Sequence, residues 1–217
     1  MKFRVDLKIF IFFVLFYLTN QLEIYLTIMF FCVIHELGHI LTGIILKMKV
    51  DNLEIMPCGV TVSFKENVDD LNFKINRGNL FGLKMIFVSI AGPLVSLILA
   101  IVYTYIDPIY ITKQEAVFSN ILILIFNLLP IYPLDGGRII NEVLHILCGN
   151  KESKVITNMI SNVFMIILTV ASSIFVFYFK NIAVFLICIF LWIITLRENK
   201  IFRSNIKMYE WLQNESI

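Results

Sequence analysis

The sequence predicts an all-α polytopic membrane protein: about six transmembrane helices, a short cytoplasmic β-hairpin and a fourth helix that breaks. Three observations lead there. First, 59% of the 217 residues are hydrophobic and 16% charged, with a mean hydropathy of +0.86; soluble domains run near ~45–50% apolar and ~25% charged. Second, six apolar runs approach the ~20 residues that a bilayer core requires of a helix. Third, the cations are unevenly placed. With an inside N-terminus, segments 1–8, 47–84, 138–154 and 197–217 carry 16 of the 18 Lys and Arg. Cytoplasmic loops show that bias, so both termini are expected in the cytoplasm and the number of spans is expected to be even.

The expected spans lie near 7–19, 22–46, 83–106, 116–134, 155–179 and 182–196. The first begins after a basic start and lacks a small-residue cleavage site, so it reads as a retained span. The fourth ends in "LLPIYPLDGG". Two prolines and two glycines cannot continue a regular helix there, and broken backbone inside a membrane is tolerated where it lines a wet cavity. Between the second and third spans, "VTVSF" alternates with strand periodicity and "NLEIM" precedes it across "PCG", which predicts the hairpin. Residues 1–196 are expected to form one membrane domain. Residues 197–217, with Phe202, Ile206 and Tyr209 at helical spacing among charges, read as an interfacial helix.

The formal charge of +2, without a long basic run, argues against a nucleic-acid partner. The expected surroundings are a lipid bilayer. Cys32, Cys58, Cys148 and Cys188 are scattered without CxxC spacing and read as soft apolar residues.

The chemistry concentrates in "HELGH", residues 35–39. His35 and His39 stand one helical turn apart, so both imidazoles can reach one metal ion. Ionisable groups in an apolar span are functional by default. Glu36, next to the first histidine, has the place of a general base that moves a proton of the hydrolytic water. Two imidazoles with one carboxylate and an open position suit catalytic zinc. Asp135, at the broken end of the fourth span, is the candidate carboxylate. Asp107, Glu115 and Glu23 read as solvated or interfacial, and His145 as a surface residue. Asn127, eight residues before Asp135, has an amide suited either to an oxyanion or to an interhelix hydrogen bond. Pro130 and Pro133 break the helix and shape the loop that presents Asp135.

"HELGH" in a hydrophobic helix, followed by "NLLPIYPLDGG", resembles the site-2 protease family of intramembrane zinc metalloproteases. "IAGPLVS" and "IMPCGV" have similar counterparts, and the likeness is greatest to the sporulation branch. The resemblance implies one zinc ion held by His35, His39 and Asp135, with Glu36 as general base. It implies that Asn127 and Pro133 position the substrate and the third ligand. It also implies a membrane-associated protein substrate, such as a pro-sigma factor or a tethered regulator, a membrane inhibitor or regulator, and residence in a bacterial cell membrane. Sporulation members carry a C-terminal CBS domain, which is expected to be missing here; "PCG" and Ser96 also depart from the family's commoner residues. The competing reading is a metal-binding membrane transporter or sensor without proteolysis. It would be expected to spread polar groups over several spans or to repeat broken helices.

Overall fold

The structure, a computed structural model, describes residues 2–5, 8–56, 59–65, 76–109, 111–179, 189 and 191–200. It falls into two compact units, residues 1–128 and 129–217.

The first unit opens with β1 (Lys2–Val5) and α1 (Lys8–Leu18). Asn20 takes a left-handed φ of 55°, a conformation that asparagine tolerates better than most residues. The chain reverses there into α2 (Leu22–Ile45). At its far end α2 stops through paired backbone bonds. The Met48 N–H donates to the Gly43 carbonyl and the Lys47 N–H to Ile44, with Lys47 left-handed at φ 57°. This is a Schellman closure, which satisfies the last carbonyls of the helix.

Then follow β2 (Lys49–Met56) and β3 (Gly59–Lys65). They pair antiparallel, with an irregularity between Val50 and Asn52. β1 joins β2 in parallel register, Lys2 opposite Asn52, giving the order β1-β2-β3. The long α3 (Asn76–Tyr105) carries Pro93 inside it. α4 (Lys113–Asn127) begins with a capping box: Thr112 Oγ1 accepts from the Glu115 N–H, while Glu115 Oε2 accepts from the Thr112 N–H. That exchange satisfies two helix-end donors that would otherwise lack partners.

Phe31, Cys32, Ala116 and Ile123 form the buried apolar centre of this unit, joined by Leu99 and Tyr103. Phe31 meets Tyr103 edge to face at 5.7 Å. α2 and α3 approach closely because Gly38 has no side chain; a Cβ there would crowd Val95 and the Ala91 carbonyl. Small residues permit this backbone approach in membrane helix pairs.

The second unit contains α5 (Asp135–Cys148), α6 (Asn150–Phe179) and α7, described over residues 191–200. Gly149, at φ 86°, turns α5 into α6, and glycine adopts that angle without steric cost. Ser161 on α6 accepts from the Tyr132 N–H at 2.9 Å and donates to the Thr157 carbonyl. The segment before α5 is therefore tied to α6. Trp192 donates to Thr169 Oγ1 and Asn199 to Asn162 Oδ1, which link α7 to α6. Polar side chains hold helices together in an apolar medium, where burial alone gives little preference.

The expected fold class needs correction in two respects. Among the described residues three helices, not six, are long and apolar enough to cross a membrane: Leu22–Ile45, Leu80–Tyr105 and Lys151–Ile174. The run near 7–19 yields an 11-residue helix, about 16 Å at ~1.5 Å per residue, against a hydrocarbon core of ~30 Å. The run near 116–134 yields the 15-residue α4 and then irregular chain. Most of 182–196, Cys58, Cys188 and the tail beyond residue 200 lie outside the described residues. The second correction concerns the all-α class with its lone β-hairpin: the structure holds a three-stranded mixed sheet. The extended residues 2–5 supply backbone hydrogen-bonding groups that lie along β2. Hydropathy counts this segment only as a basic start and carries no pairing information.

Candidate metal centre

α2 places His35 and His39 on one face, and both are buried, 4% and 3% exposed. Their rings stand nearly perpendicular, 80° apart in plane. The two Nε2 atoms lie 3.2 Å from each other. Two nitrogens bound to one tetrahedral zinc at ~2.0–2.1 Å would lie about 3.3 Å apart.

The other ring nitrogens are engaged on α3. His39 Nδ1 donates to the Val88 carbonyl at 2.7 Å, and His35 Nδ1 is 2.9 Å from Ser96 Oγ. A carbonyl only accepts, so the His39 proton sits on Nδ1 and Nε2 carries a lone pair, the form in which an imidazole binds a metal. Val88, Gly92 and Ser96 recur every four residues and so form one stripe of α3. Gly92, in the middle of that stripe, leaves room beside both Nε2 atoms. A Cβ there would collide with both imidazoles. The cradle fits a small cation.

Glu36 is also buried, 6% exposed, and follows the first histidine in the chain. Asn127 closes α4, and its amide nitrogen donates to the Ile123 carbonyl at 3.0 Å within the same helix. Of the two uses its sequence position left open, the structure thus places one N–H on the backbone of its own helix. In the second unit Asp135 is the first residue of α5 and is buried. The positive end of a helix dipole favours a carboxylate at that position. Pro133, joined to Tyr132 by a cis peptide bond, lies half-buried two residues earlier. Gly137 allows α5 to start where it does, because a Cβ on it would strike the backbone of Ile131 and Tyr132. His145 faces Glu142 on its own helix at 3.8 Å.

Sequence reasoning gave no role to three contributors: Ser96, Gly92 and the Val88 carbonyl. "AGP" marked the neighbourhood without a reason. The only sequence signal available was the four-residue spacing of a glycine and a serine inside an apolar helix.

The sequence profile of Peptidase family M50 matches residues 23–110 and 108–171. The chain belongs to this family. The M50 match takes in both histidines, Glu36, Ser96 and Asp135. Stage IV sporulation protein FB of Bacillus subtilis is 30% identical over 127 residues, which make up 57% of this chain and 41% of that protein. A zinc metalloprotease of Methanocaldococcus jannaschii is 27% identical over 144 residues, 63% of this chain and 39% of that protein. This M50 chain thus spans about two fifths of the length of these curated relatives. The solved site-2 protease from Methanocaldococcus jannaschii shares the fold, with a TM-score of 0.63, 24% identity and 91% of each chain covered. The first unit of this M50 chain offers the His35 and His39 imidazoles and the second offers the Asp135 carboxylate, and two imidazoles with a carboxylate are donor types that suit zinc.

Proposed function

We propose that this protein is an intramembrane zinc metalloendopeptidase, acting on peptide bonds of membrane-associated proteins. The observation that carries the reading is the buried imidazole pair, its Nε2 atoms 3.2 Å apart, with the buried Glu36 next to His35 in the chain in a member of a peptidase family.

His35 and His39 would hold the ion through Nε2, and Asp135 would complete the protein's donor set. When bound, zinc supplies Lewis-acid polarisation of the scissile carbonyl and activation of the attacking water. Glu36 takes the proton from that water at its carboxylate and returns it to the departing amine nitrogen. The Val88 carbonyl and Ser96 hold the imidazole rings in place while this happens. Asn127 keeps a second amide N–H and an oxygen for a substrate carbonyl or its neighbours, and Pro133 shapes the segment leading to Asp135.

The substrate class that this reading favours is a pro-sigma factor or tethered regulator, the class implied by the resemblance of the HELGH and NLLPIYPLDGG motifs to the sporulation branch of the site-2 proteases. The uneven distribution of Lys and Arg supports cytoplasmic termini and a catalytic face open to the cytoplasm, and the likeness to a Bacillus protein favours residence in a bacterial cell membrane.

The test is co-expression with membrane-tethered sigma and anti-sigma candidates. Glu36→Gln should abolish cleavage of a substrate that the unmodified protein cuts, and the purified variant should still contain one equivalent of zinc. Cleavage at an undiminished rate in that variant would overturn the reading. Metal transport that survives Glu36→Gln would favour the transporter alternative.

A further inference from the structure

Ser96 is fully buried, 0% exposed, in the middle of α3. Its hydroxyl oxygen lies 2.9 Å from His35 Nδ1, across 61 residues of sequence. The two histidines are therefore held differently. His39 is held by a carbonyl, which fixes one tautomer; His35 is held by a hydroxyl, which can donate or accept.

We propose that Ser96 is a positioning residue that keeps His35 satisfied in both of its tautomers and thereby prepares the histidine pair for its metal. This rests on the zinc reading above and names the residue that makes the pair loadable. Without a cation, two Nε2 lone pairs at 3.2 Å would repel each other. The neutral arrangement that the Nε2–Nε2 contact itself offers puts a proton on His35 Nε2, donated to His39 Nε2, while the Ser96 O–H donates to His35 Nδ1. With a cation present, both Nε2 lone pairs are needed. The His35 proton then resides on Nδ1 and is donated to Ser96 Oγ. The number of protons on the two rings is the same in both arrangements; only their position changes. A carbonyl in place of Ser96 would forbid the first arrangement, and an apolar residue would leave His35 Nδ1 buried without a partner. The loss is greater in the loaded form, because a ring N–H polarised by a bound cation makes the stronger, charge-assisted hydrogen bond.

The experiment compares zinc affinity, by chelator competition, among the full-length protein in detergent, Ser96→Ala and Ser119→Ala. Ser119 is a buried serine on α4 and controls for loss of a buried hydroxyl. Ser96→Ala should bind zinc about 10–100-fold more weakly, and Ser119→Ala should bind as the parent does. A second measurement needs no variant: ¹⁵N shifts of the histidine rings in zinc-free protein should show Nε2–H for His35 and Nδ1–H for His39. Equal zinc affinity in Ser96→Ala, or the same tautomer on both rings, overturns the inference. A parent protein that binds no zinc at all overturns the reading beneath it instead.

Discussion

The histidine pair shows how few atoms define this centre. Two imidazoles one turn apart on α2 acquire direction only from what α3 places against them. The Val88 carbonyl and Ser96 hydroxyl occupy the Nδ1 sides, so the Nε2 sides converge. Gly92 leaves the space in front of them open. Gly92→Ala should therefore remove zinc binding while Gly38→Ala, whose Cβ would meet Val95 and the Ala91 carbonyl and not the imidazoles, should not. Metal content of the purified variants decides this, and full zinc occupancy in Gly92→Ala would refute the cradle. Gly38→Ala is expected instead to weaken packing of α2 on α3, because its Cβ would press on the Ala91 carbonyl. Overpacking of that kind costs ~1–3 kcal/mol.

The elements differ in what holds their ends. α4 starts on the Thr112–Glu115 box, and its hydrogen bonds to Thr112 hold the Glu115 carboxyl below the usual range. A depressed acid favours the folded state at pH above about 4.5 and loses that contribution as pH falls through the folded value. Thr112→Ala should release Glu115 back towards its ordinary titration and loosen the first turn of α4. Amide exchange in residues 113–116 checks the loosening and a carboxyl ¹³C titration of Glu115 checks the release, and unchanged protection would count against the cap. α5 depends on Gly137. Gly137→Ala should displace the 131–132 backbone, lower thermal stability and reduce cleavage together. On α7 burial raises the Glu198 carboxyl above its usual range, opposed by Arg197 and Arg138. A raised acid favours the folded state at pH below its unfolded value near 4.5, and that advantage is lost as pH rises through the higher folded value. Glu198→Gln should accordingly raise the melting temperature at neutral pH, with the gain shrinking towards pH 4. A gain independent of pH would point to some other cause.

For the protein entire, zinc and folding should be linked. A ligand that binds only the native state stabilises it by about 2.7 kcal/mol at 100 times its dissociation constant. Chelation should lower the melting temperature, zinc should restore it, and Glu36→Gln should respond like the parent because Glu36 is not among the donors proposed. Absence of any shift with zinc would oppose a resident ion. Reporter fusions at residues 1 and 217 should both report the cytoplasm, and opposite locations would refute the proposed orientation of the termini. The large apolar side chains exposed along the helices, such as Phe10, Leu41, Phe87 and Ile166, suit a lipid surround and mark the chain as an integral membrane protein in a family of membrane peptidases.

The proposed centre draws notice in the sequence because its chemistry is conspicuous against an apolar background: His35, Glu36, His39 and Asp135 are costly where they stand, and cost implies use. Hydropathy also located α2, α3 and α6 to within a few residues at their apolar parts. Among the described residues it overcounted the spans, since apolar content records partition and not helix length, and α1 and α4 fall short of a bilayer. By itself the sequence determined the medium, the donor types and the peptidase character of the motifs. Only the tertiary structure decided that β1 pairs with β2, that Ser96 and Val88 orient the rings, and that Gly92 leaves the cradle open. Those contacts join residues about 50–60 positions apart through backbone groups and small side chains, which carry no local period and no hydropathy for a linear reading to detect.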